Sequence, residues 1–328
     1  MNNLVSNYGM LPDKNSEKYL LGEGAGGSVL IVKRPSDNHV FAIKKFRPQN
    51  ARETDYDYRK KVQNEYMLMA RLDHQNIVRA YELLNDKSLY VLVMEYCPFD
   101  FFTIVMGGVM SKLEIYCYFK QMVRGVEYLH SQGIAHRDLK LDNCVVNKHG
   151  ILKICDFGSA VFFLPQDISI IKARGVVGSD PYLAPECLGM STYDPRPADV
   201  WSLAIMFCCM VMRRFPWKIP KSTDQSFKSF TSVPSDTIDE NGRKRITGPN
   251  KLLRLLPSAS REIIGDMLEL KPESRVDMES LLRSPFVTEI SSCYVNGVDA
   301  EGEEVVHRSE GHKHHLITEE DLERIDEE

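Results

Sequence analysis

The sequence predicts an α+β fold whose first part is rich in strands with one main helix, and whose larger second part is mostly helical. Two observations support this prediction. Short apolar runs separated by turn residues dominate between Tyr19 and Tyr96, whereas capped helical patterns follow Pro98. The chain has 328 residues, 43% of them hydrophobic and 27% charged, which is an ordinary composition for a soluble protein that buries a sizeable core.

The first part contains short apolar segments of strand type and one segment with helical spacing. A turn at 35–38 joins two of the strands, and Val62, Tyr66 and Met69 fall near one face of the helix. The predicted strands are Leu20–Leu21, Val29–Val32, Val40–Phe46 and Leu89–Met94, and the predicted helix is Lys60–Leu72.

In the second part, the sequence from Ser111 to Glu114 has the pattern of a capping box and opens a helix that runs to about His130. Val200–Met212 is apolar all round and predicts a buried helix that is too short to span a bilayer. Short strands are expected near Val145 and over Ile151–Ile154, and further helices over Ser258–Leu270 and Met278–Leu282. A short acidic helix is expected over Thr318–Asp326. The segment 221–249 is polar and predicts an insertion or mobile loop.

Charge and cysteine usage exclude several classes of protein. The net charge is −5, so the chain lacks the excess of basic residues that nucleic-acid binding requires. The 8 cysteines lack paired C-x-x-C spacing, and adjacent Cys208 and Cys209 suit reduced thiols in a core. The first residues lack the basic and apolar regions of a secretory signal. We therefore expect a cytoplasmic protein with neither a membrane span nor a nucleic-acid partner.

A glycine cluster between the first two strands, from Gly22 to Val29, matches G-x-G-x-x-G-x-V. Taken alone, a glycine turn of purely structural purpose is as good an interpretation as a nucleotide loop. A dinucleotide fold is disfavoured because another strand follows the glycines, where that fold has a helix. The next strand carries Lys44 among apolar neighbours, and the following helix offers Glu65 as the carboxylate that a buried lysine needs.

The segment from His136 to Asn143 is the most informative, because it matches H-R-D-L-x-x-x-N at every fixed position. D-F-G follows at Asp156, at the end of a short strand, and A-P-E follows at Ala184. Each motif is modest by itself. Together, and in this order, they leave little room for coincidence.

With these motifs, the chain resembles eukaryotic protein kinases from about Tyr19 to Phe286. It resembles more narrowly the fungal group of halotolerance and nitrogen-permease-reactivator kinases. The segments that carry this narrower resemblance are 141–145, 178–186, 193–197 and 213–220. The resemblance implies a bilobal kinase fold with a short N-terminal extension (1–18), a small lobe (19–96), a large lobe (97–288) and a polar, acidic tail (289–328).

The resemblance also implies the roles of the motif residues. Gly22, Gly24 and Gly27 would cover the phosphates of ATP, while Lys44, held by Glu65, would orient the α- and β-phosphates. Lysine at 140 is typical of serine/threonine kinases. In the catalytic segment, Asp138 would orient the substrate hydroxyl, Lys140 would steady the γ-phosphate, and Asn143 and Asp156 would ligate Mg²⁺.

An apolar slot is expected for the adenine ring. Its residues would be Leu21, Val29, Ala42 and Val145, with Met94 as gatekeeper and with the backbone from Glu95 to Cys97 as the hinge. Plain core packing is the alternative for each apolar residue. Cys155, beside Asp156, is a candidate for cysteine-directed inhibitors or, equally, an inert buried thiol.

Two predictions concern regulation. Arg137, beside Asp138, implies control through the activation segment, in which Ser169 is the candidate phosphosite for an upstream kinase. An acidic or hydrophobic contact would serve as an alternative to the phosphate. Ser179 is expected to have a structural and catalytic role.

Further residues are expected to influence substrate choice and to hold the larger lobe together. Asp142 and Asp100 would favour protein substrates with upstream basic residues, although solvated surface acids are an equal alternative. Arg275 would pair with Glu186, and a stacked column of active kinases is matched by Met69, His136, Phe157 and Asp199.

Three alternatives remain open. A pseudokinase scaffold usually lacks one of the motif residues, but all of them are present here. That alternative therefore remains only if the kinase fold is held in a latched, inactive state. A small-molecule kinase is disfavoured by the A-P-E segment. The tail carries His307, His312, His314 and His315, for which solvated side chains are expected and a metal site is the weaker alternative, because a polar tail offers no fixed geometry.

Overall fold

The structure is a computed structural model that describes residues 3–9, 19–24, 26–86, 89–164, 170–238, 244–300, 304–318 and 320–321. The first lobe contains five strands: β1 (Leu20–Gly24), β2 (Gly27–Lys33), β3 (Val40–Phe46), β4 (Ala80–Asp86) and β5 (Leu89–Glu95). They form one antiparallel sheet in the order β1-β2-β3-β5-β4. A short helix, α1 (Asn3–Tyr8), lies against this sheet with Leu4 buried, and Tyr8 donates to Glu82 at 2.9 Å.

The main helix of the first lobe, α2 (Asp55–Met69), begins five residues before the predicted start. Thr54 caps it by accepting a hydrogen bond from Asp57 N–H at 3.1 Å. The first turn alternates aspartate and tyrosine, and its buried residue, Tyr58, lies four residues before Val62 on the same face. Its buried face holds Val62, Glu65 and Met69, as the apolar spacing predicted for the two hydrophobic positions.

The second lobe is built around helices. They are α3 (Phe101–Met106), α4 (Lys112–Ser131), α5 (Pro185–Gly189), α6 (Pro195–Met212), α7 (Gln225–Phe230), α8 (Asn250–Leu253), α9 (Arg261–Met267), α10 (Met278–Arg283) and α11 (Pro285–Glu289). The predicted capping box at Ser111 and Glu114 is present at the start of α4. The buried helix α6 packs against α4 and starts earlier than expected, because prolines fit its first turn after the Asp194 cap. The α+β fold class is confirmed.

Short strands of the second lobe hold the loops that carry the motifs. They are β6 (Phe99–Asp100), β7 (Ile134–Ala135), β8 (Cys144–Val146), β9 (Leu152–Ile154), β10 (Val161–Phe162), β11 (Ala173–Arg174) and β12 (Thr192–Tyr193). They pair as β6-β8-β9, β7-β10 and β11-β12. The H-R-D-L segment therefore lies between two anchored strands, and Asp156 follows the end of β9.

Over its described part, the segment 221–249 contradicts the prediction of a mobile loop, whereas the alternative of an insertion stays a prediction. It contains α7 and a hairpin of β13 (Ser235–Ile238) and β14 (Lys244–Thr247). Phe227 and Phe230 lie three residues apart and pack on the Trp217 ring, at centroid distances of 5.1 and 5.0 Å. Two buried aromatic rings hold this polar stretch against the lobe.

The polar tail is also structured over its described residues. It forms a hairpin of β15 (Tyr294–Val298) and β16 (Glu304–His307), and residues 308–318 return along α4. The helix predicted over Thr318–Asp326 lies almost entirely outside the described residues. Over the part of the chain that the structure describes, we find no helix with the length and hydrophobicity that crossing a bilayer requires.

Candidate active site

Three charged side chains from separate elements meet at the interface of the two lobes. Lys44 on β3 places its Nζ 2.6 Å from Oε1 of Glu65 on α2 and 3.0 Å from Oδ1 of Asp156. The ion pair of Lys44 and Glu65 that the sequence predicted is therefore present. It brings β3, α2 and the segment after β9 to one point.

Burial and neighbouring charges have opposite effects on the pKa values of these three side chains. Burial lowers the pKa of Lys44, but the carboxylates of Glu65 and Asp156 outweigh it and leave that pKa above its usual value. Burial raises the pKa of Glu65, and the charge of Lys44 offsets only part of this effect. For Asp156, burial also raises the pKa, yet Lys44 outweighs it, so the pKa lies below the usual range. Lys44 and Asp156 are both ionised at neutral pH.

The loop between β7 and β8 gathers the second set of polar groups. Ser179 donates from Oγ to Oδ1 of Asp138 at 3.0 Å, and Lys140 Nζ donates to the same Oγ at 3.1 Å. Asn143 donates from Nδ2 to the carbonyl oxygen of Asp138 at 2.8 Å. The carboxylate of Asp138 is thus held beside a serine hydroxyl and an ammonium group, with the amide oxygen of Asn143 as the side-chain atom suited to a cation.

Asp199 on α6 anchors the backbone of this loop. Its two carboxylate oxygens accept the backbone N–H groups of His136 and Arg137, each at 2.9 Å. Arg137 and Asp156 both have positive φ angles, of 67° and 59°. Residues other than glycine adopt this conformation at a cost, and the hydrogen bond from its N–H to Asp199 holds Arg137 in it.

The glycine motif forms the turn of the hairpin β1–β2. Gly22 and Gly24 lie on β1, and Gly27 begins β2 with a φ of 138°. A Cβ at Gly27 would collide with the carbonyl oxygen of Lys45, so this position requires glycine. A Cβ at Gly26 would lie 3.4 Å from Nζ of Lys44, which places the turn directly over the charged cluster.

The residues predicted for an apolar slot lie around the junction of the two lobes. Val29 is opposite Lys44 in the sheet, and Ala42 is opposite Met94. Ala42, Met94 and Cys97 are buried, Val29 and Val145 are half-buried, and Leu21 is exposed at the edge of β1. Backbone pairing thus places Val29 beside Lys44, and Ala42 beside Met94 near the end of β5.

Glu95 and Cys155 have features that the sequence did not reveal. The side chain of Glu95, a residue of the predicted hinge, forms an ion pair with Lys153 at 2.8 Å. Burial and the neighbouring carboxylate of Asp156 raise the pKa of Cys155 to about 12. A thiol with that pKa is almost entirely protonated at neutral pH, which favours the inert interpretation over a reactive cysteine.

Arg137 binds the activation segment through neutral groups. Its guanidinium donates to the hydroxyl of Tyr193 at 3.2 Å and to the carbonyl oxygen of Arg174 at 3.0 Å. A cavity of about 370 Å³ lies beside it, between α2 and the activation segment, and is also lined by Lys172 and Arg174. Ser169, the candidate phosphosite, lies outside the described residues. Tyr193 was not identified from the sequence.

Other residues of the larger lobe take the positions expected from the resemblance. Arg275 forms a two-pronged ion pair with Glu186, at 2.6 and 3.0 Å, and both side chains are buried. The rings of His136 and Phe157 are 5.1 Å apart at their centroids, and both are buried, as is Met69.

The two acids predicted to favour basic substrates, Asp142 and Asp100, differ in their surroundings. Asp142 is exposed, whereas Asp100 caps α3 by accepting from Thr103 N–H at 2.7 Å. Asp142 is thus the more accessible of the two carboxylates.

The residues present fit a metal-bound nucleoside triphosphate. A hard cation prefers oxygen ligands, which a carboxylate (Asp156) and an amide (Asn143) provide next to Lys44. Among the described residues, the space above Gly22 and Gly24 is open, since a Cβ at either position would have no neighbouring atom within 4 Å. A phosphate chain can therefore approach the backbone there.

Comparison with known proteins supports this interpretation. A family model described as protein kinase domain matches residues 16–287. "Probable serine/threonine-protein kinase RTK1" of Saccharomyces cerevisiae is 50% identical over 312 residues, which cover 93% of this chain and 49% of that protein. "Serine/threonine-protein kinase oca2" of Schizosaccharomyces pombe is 43% identical over 342 residues, which cover 92% and 52%.

A third relative bears on the narrower resemblance. "Nitrogen permease reactivator protein" of Saccharomyces cerevisiae is 43% identical over 307 residues, which cover 84% of this chain and 39% of that protein. The chain spans about half the length of the curated relatives it matches. The predicted resemblance to serine/threonine protein kinases, and to this group among them, is confirmed.

Proposed function

Because this chain belongs to the protein kinase family, we propose that it transfers the γ-phosphoryl group of ATP to serine and threonine hydroxyls of proteins. The observation that carries the proposal is the cluster of Lys44, Glu65 and Asp156 at the lobe interface. A second set of polar groups, around Asp138, lies on the adjoining loop. Phosphoryl transfer requires positioning and charge neutralisation, and this arrangement supplies both.

The chain's own residues divide these tasks. Lys44 is kept charged by its two carboxylate neighbours and orients the α- and β-phosphates, beneath the turn formed by Gly22, Gly24 and Gly27. Asp156 and Asn143 would hold Mg²⁺, which, when bound, would neutralise charge on the phosphate oxygens. The positive φ at Asp156 aims its carboxylate back toward Lys44.

On the catalytic loop, Asp138 orients the substrate hydroxyl and accepts its proton. Lys140 lies 3.5 Å from the carboxylate of Asp138 and can therefore reach the γ-phosphate next to it. Ser179 hydrogen-bonds both Asp138 and Lys140, and so keeps the two groups at a fixed separation. We assign Ser179 to positioning.

The adenine ring would occupy the slot between the lobes, against Val29, Ala42, Val145 and the Met94 side chain, with Leu21 at its rim. In the described part of the chain, the backbone N–H and C=O of Cys97 make no hydrogen bond with the protein. Together with the backbone of Glu95, they are suited to bind the polar edge of the ring.

The decisive experiment is transfer of labelled phosphate from ATP to a degenerate peptide library, with Asp138→Asn as the inactive variant. We expect that Asp138→Asn lowers transfer by about 10²–10⁴-fold without weakening nucleotide binding, because it removes a proton acceptor. Glu262→Gln, on the exposed surface, is the matched control. Nucleotide binding without any transfer by the unaltered chain would instead indicate a scaffold.

The same library tests substrate choice. Asp142 is exposed on the catalytic loop, and a carboxylate there favours peptides with arginine or lysine before the target residue. We expect Asp142→Asn to reduce that preference while transfer to neutral peptides is retained. A library without enrichment of basic residues would contradict this prediction.

The cellular role rests on analogy. One relative is named for the reactivation of a nitrogen permease, and we propose that this chain likewise acts in cytoplasmic signalling that adjusts nutrient or cation transporters, under an upstream activating kinase. The test compares phosphopeptides of transporters between cells carrying the active chain and cells carrying Asp138→Asn. Transporters with unchanged phosphorylation would refute the role.

A further inference from the structure

Four sulfur and nitrogen ligand atoms from distant parts of the sequence meet beside α4 of the larger lobe. Cys117 lies on α4, Cys293 follows α11, and His312 and His314 lie in the returning tail. One ligand atom of each lies within 4.8 Å of all the others. The two cysteines are free and buried, and the two histidines are half-buried.

Three of the six separations between ligand atoms are close to those of a tetrahedral zinc site. Nε2 of His314 is 3.4 Å from Sγ of Cys293 and 3.8 Å from Sγ of Cys117, and Nε2 of His312 is 3.8 Å from Sγ of Cys293. With bonds of about 2.3 Å to sulfur and about 2.0 Å to nitrogen, tetrahedral geometry places ligand atoms roughly 3.3–3.8 Å apart. The three separations lie within or close to this range.

Hydrogen-bond donors point at both sulfur atoms. The N–H of Cys293 donates to Sγ of Cys117 at 3.2 Å, and Nε2 of Gln121 donates to the same sulfur at 3.4 Å. The N–H of Ser309 donates to Sγ of Cys293 at 3.3 Å. Donors of this kind stabilise metal-bound thiolates and fix their orientation.

The fold also makes room for the imidazole of His314. Gly150 has a φ of 83°, and a Cβ there would lie 2.5 Å from Cδ2 of the ring. On another side, the ring meets Tyr118 at a centroid distance of 4.6 Å. Nδ1 has no hydrogen-bond partner within the described residues, so the polar contacts of this ring are those between Nε2 and the two sulfur atoms.

The other two histidines of the tail make contacts with residues outside this cluster. His307 stacks on Tyr294 at 4.7 Å, and His315 pairs through Nδ1 with the buried carboxylate of Glu114 at 2.7 Å. The expectation of solvated histidines is thus wrong for His312 and His314, because the tail folds back onto α4 and acquires fixed geometry.

We propose that Cys117, Cys293, His312 and His314 bind one zinc ion as a closed structural site. Two thiolates with two imidazoles in tetrahedral arrangement select zinc over the hard cations, which prefer oxygen. Binding forms two Zn–S and two Zn–N bonds and releases the protons of any thiol that was protonated, with no change of oxidation state. All four positions are filled by protein, so the site holds the tail in place.

This site is linked to the proposed nucleotide cleft through the tail hairpin. Oε2 of Glu304 on β16 accepts from Asn147 at 2.8 Å, and Oε1 of Glu304 lies 3.5 Å from Nζ of Lys153. Lys153 in turn pairs with Glu95, the last residue of β5, at 2.8 Å. The zinc site therefore anchors a hairpin that reaches the residue at which the hinge begins.

The experiment measures metal directly, so it is independent of kinase activity. The chain is purified under reducing conditions with equimolar zinc, dialysed and analysed by elemental mass spectrometry, and cobalt is used in parallel as a spectroscopic probe. We expect one zinc per chain, and for cobalt the visible bands of a tetrahedral site with a thiolate-to-metal transition.

Ligand and control variants are available within the same tail. His312 is half-buried in the tail, so His312→Ala removes a ligand without disturbing the helical core, and we expect it to weaken zinc binding by at least about 100-fold. Cys117→Ser should do the same. His307→Ala, which removes a histidine outside the cluster, should retain full zinc binding.

Three results would overturn the proposal. The first is a chain without zinc above the background of the buffer and without the cobalt bands. The second is equal loss of binding in His307→Ala and His312→Ala, which would indicate a diffuse histidine effect. The third is an intact-mass measurement showing a disulfide between Cys117 and Cys293 in the purified chain.

Discussion

The proposed nucleotide cleft and the cysteine–histidine cluster of the larger lobe are assembled differently along the sequence. In the cleft, one loop contributes several polar groups from a short contiguous segment, Asp138 to Asn143, although Lys44, Glu65 and Asp156 come from separate elements. The cluster takes Cys117 and Cys293 from places 176 residues apart and two histidines from the tail. When one loop presents several groups at fixed separations, the sequence contains a recognisable motif. When single residues come from three separate elements, the sequence contains no such motif.

The largest effect should come from the charged pair that anchors the cleft. We expect Lys44→Met to lower phosphoryl transfer by about 10²–10³-fold, because it removes a positioned cation from the phosphates. Lys45→Met is the matched control, since successive side chains of a strand point to opposite faces. Comparable losses in the two variants, measured as steady-state rates at saturating ATP, would show that the cluster at Lys44 is not the nucleotide site.

A buried pair between distant residues should have an intermediate effect, on stability. Glu186→Gln leaves the guanidinium of Arg275 buried with its charge uncompensated, and we expect it to lower the free energy of unfolding by about 3 kcal/mol. The exposed pair of Glu279 and Arg283 is the control, and Glu279→Gln should cost less than about 1 kcal/mol. Denaturant unfolding of the two variants provides the measurement, and equal midpoints would contradict the prediction.

The smallest effect should come from the link between the tail and the hinge. Glu304→Gln weakens a partly exposed contact with Lys153, so we expect faster amide hydrogen exchange over 294–307 and unchanged exchange over 138–143. Glu310→Gln changes an exposed tail carboxylate and should leave both segments unaltered. If Glu304→Gln accelerates exchange equally at the catalytic loop, the tail and the cleft are coupled more tightly than these contacts imply.

Sequence patterns worked where one element carries its own signal. The capping box at Ser111 located the start of α4, and alternating turn and apolar segments located β3 with the same bounds that the structure has. Sequence patterns failed where a segment is ordered by contacts with residues elsewhere in the chain. Phe227 and Phe230 order a polar stretch only because Trp217 is there to receive them.

By itself, the sequence determined the α+β class, the kinase motifs and the pairing of Lys44 with Glu65, since these depend on local spacing and on the need of a buried cation for a carboxylate. Only the tertiary structure decided where the tail goes. Its polar composition predicts solvation, yet contacts with Gly150, Gln75 and Glu114 hold it against the lobe. The free energy of such contacts depends on surfaces that exist only after the lobe has folded, and no window of the sequence contains both partners.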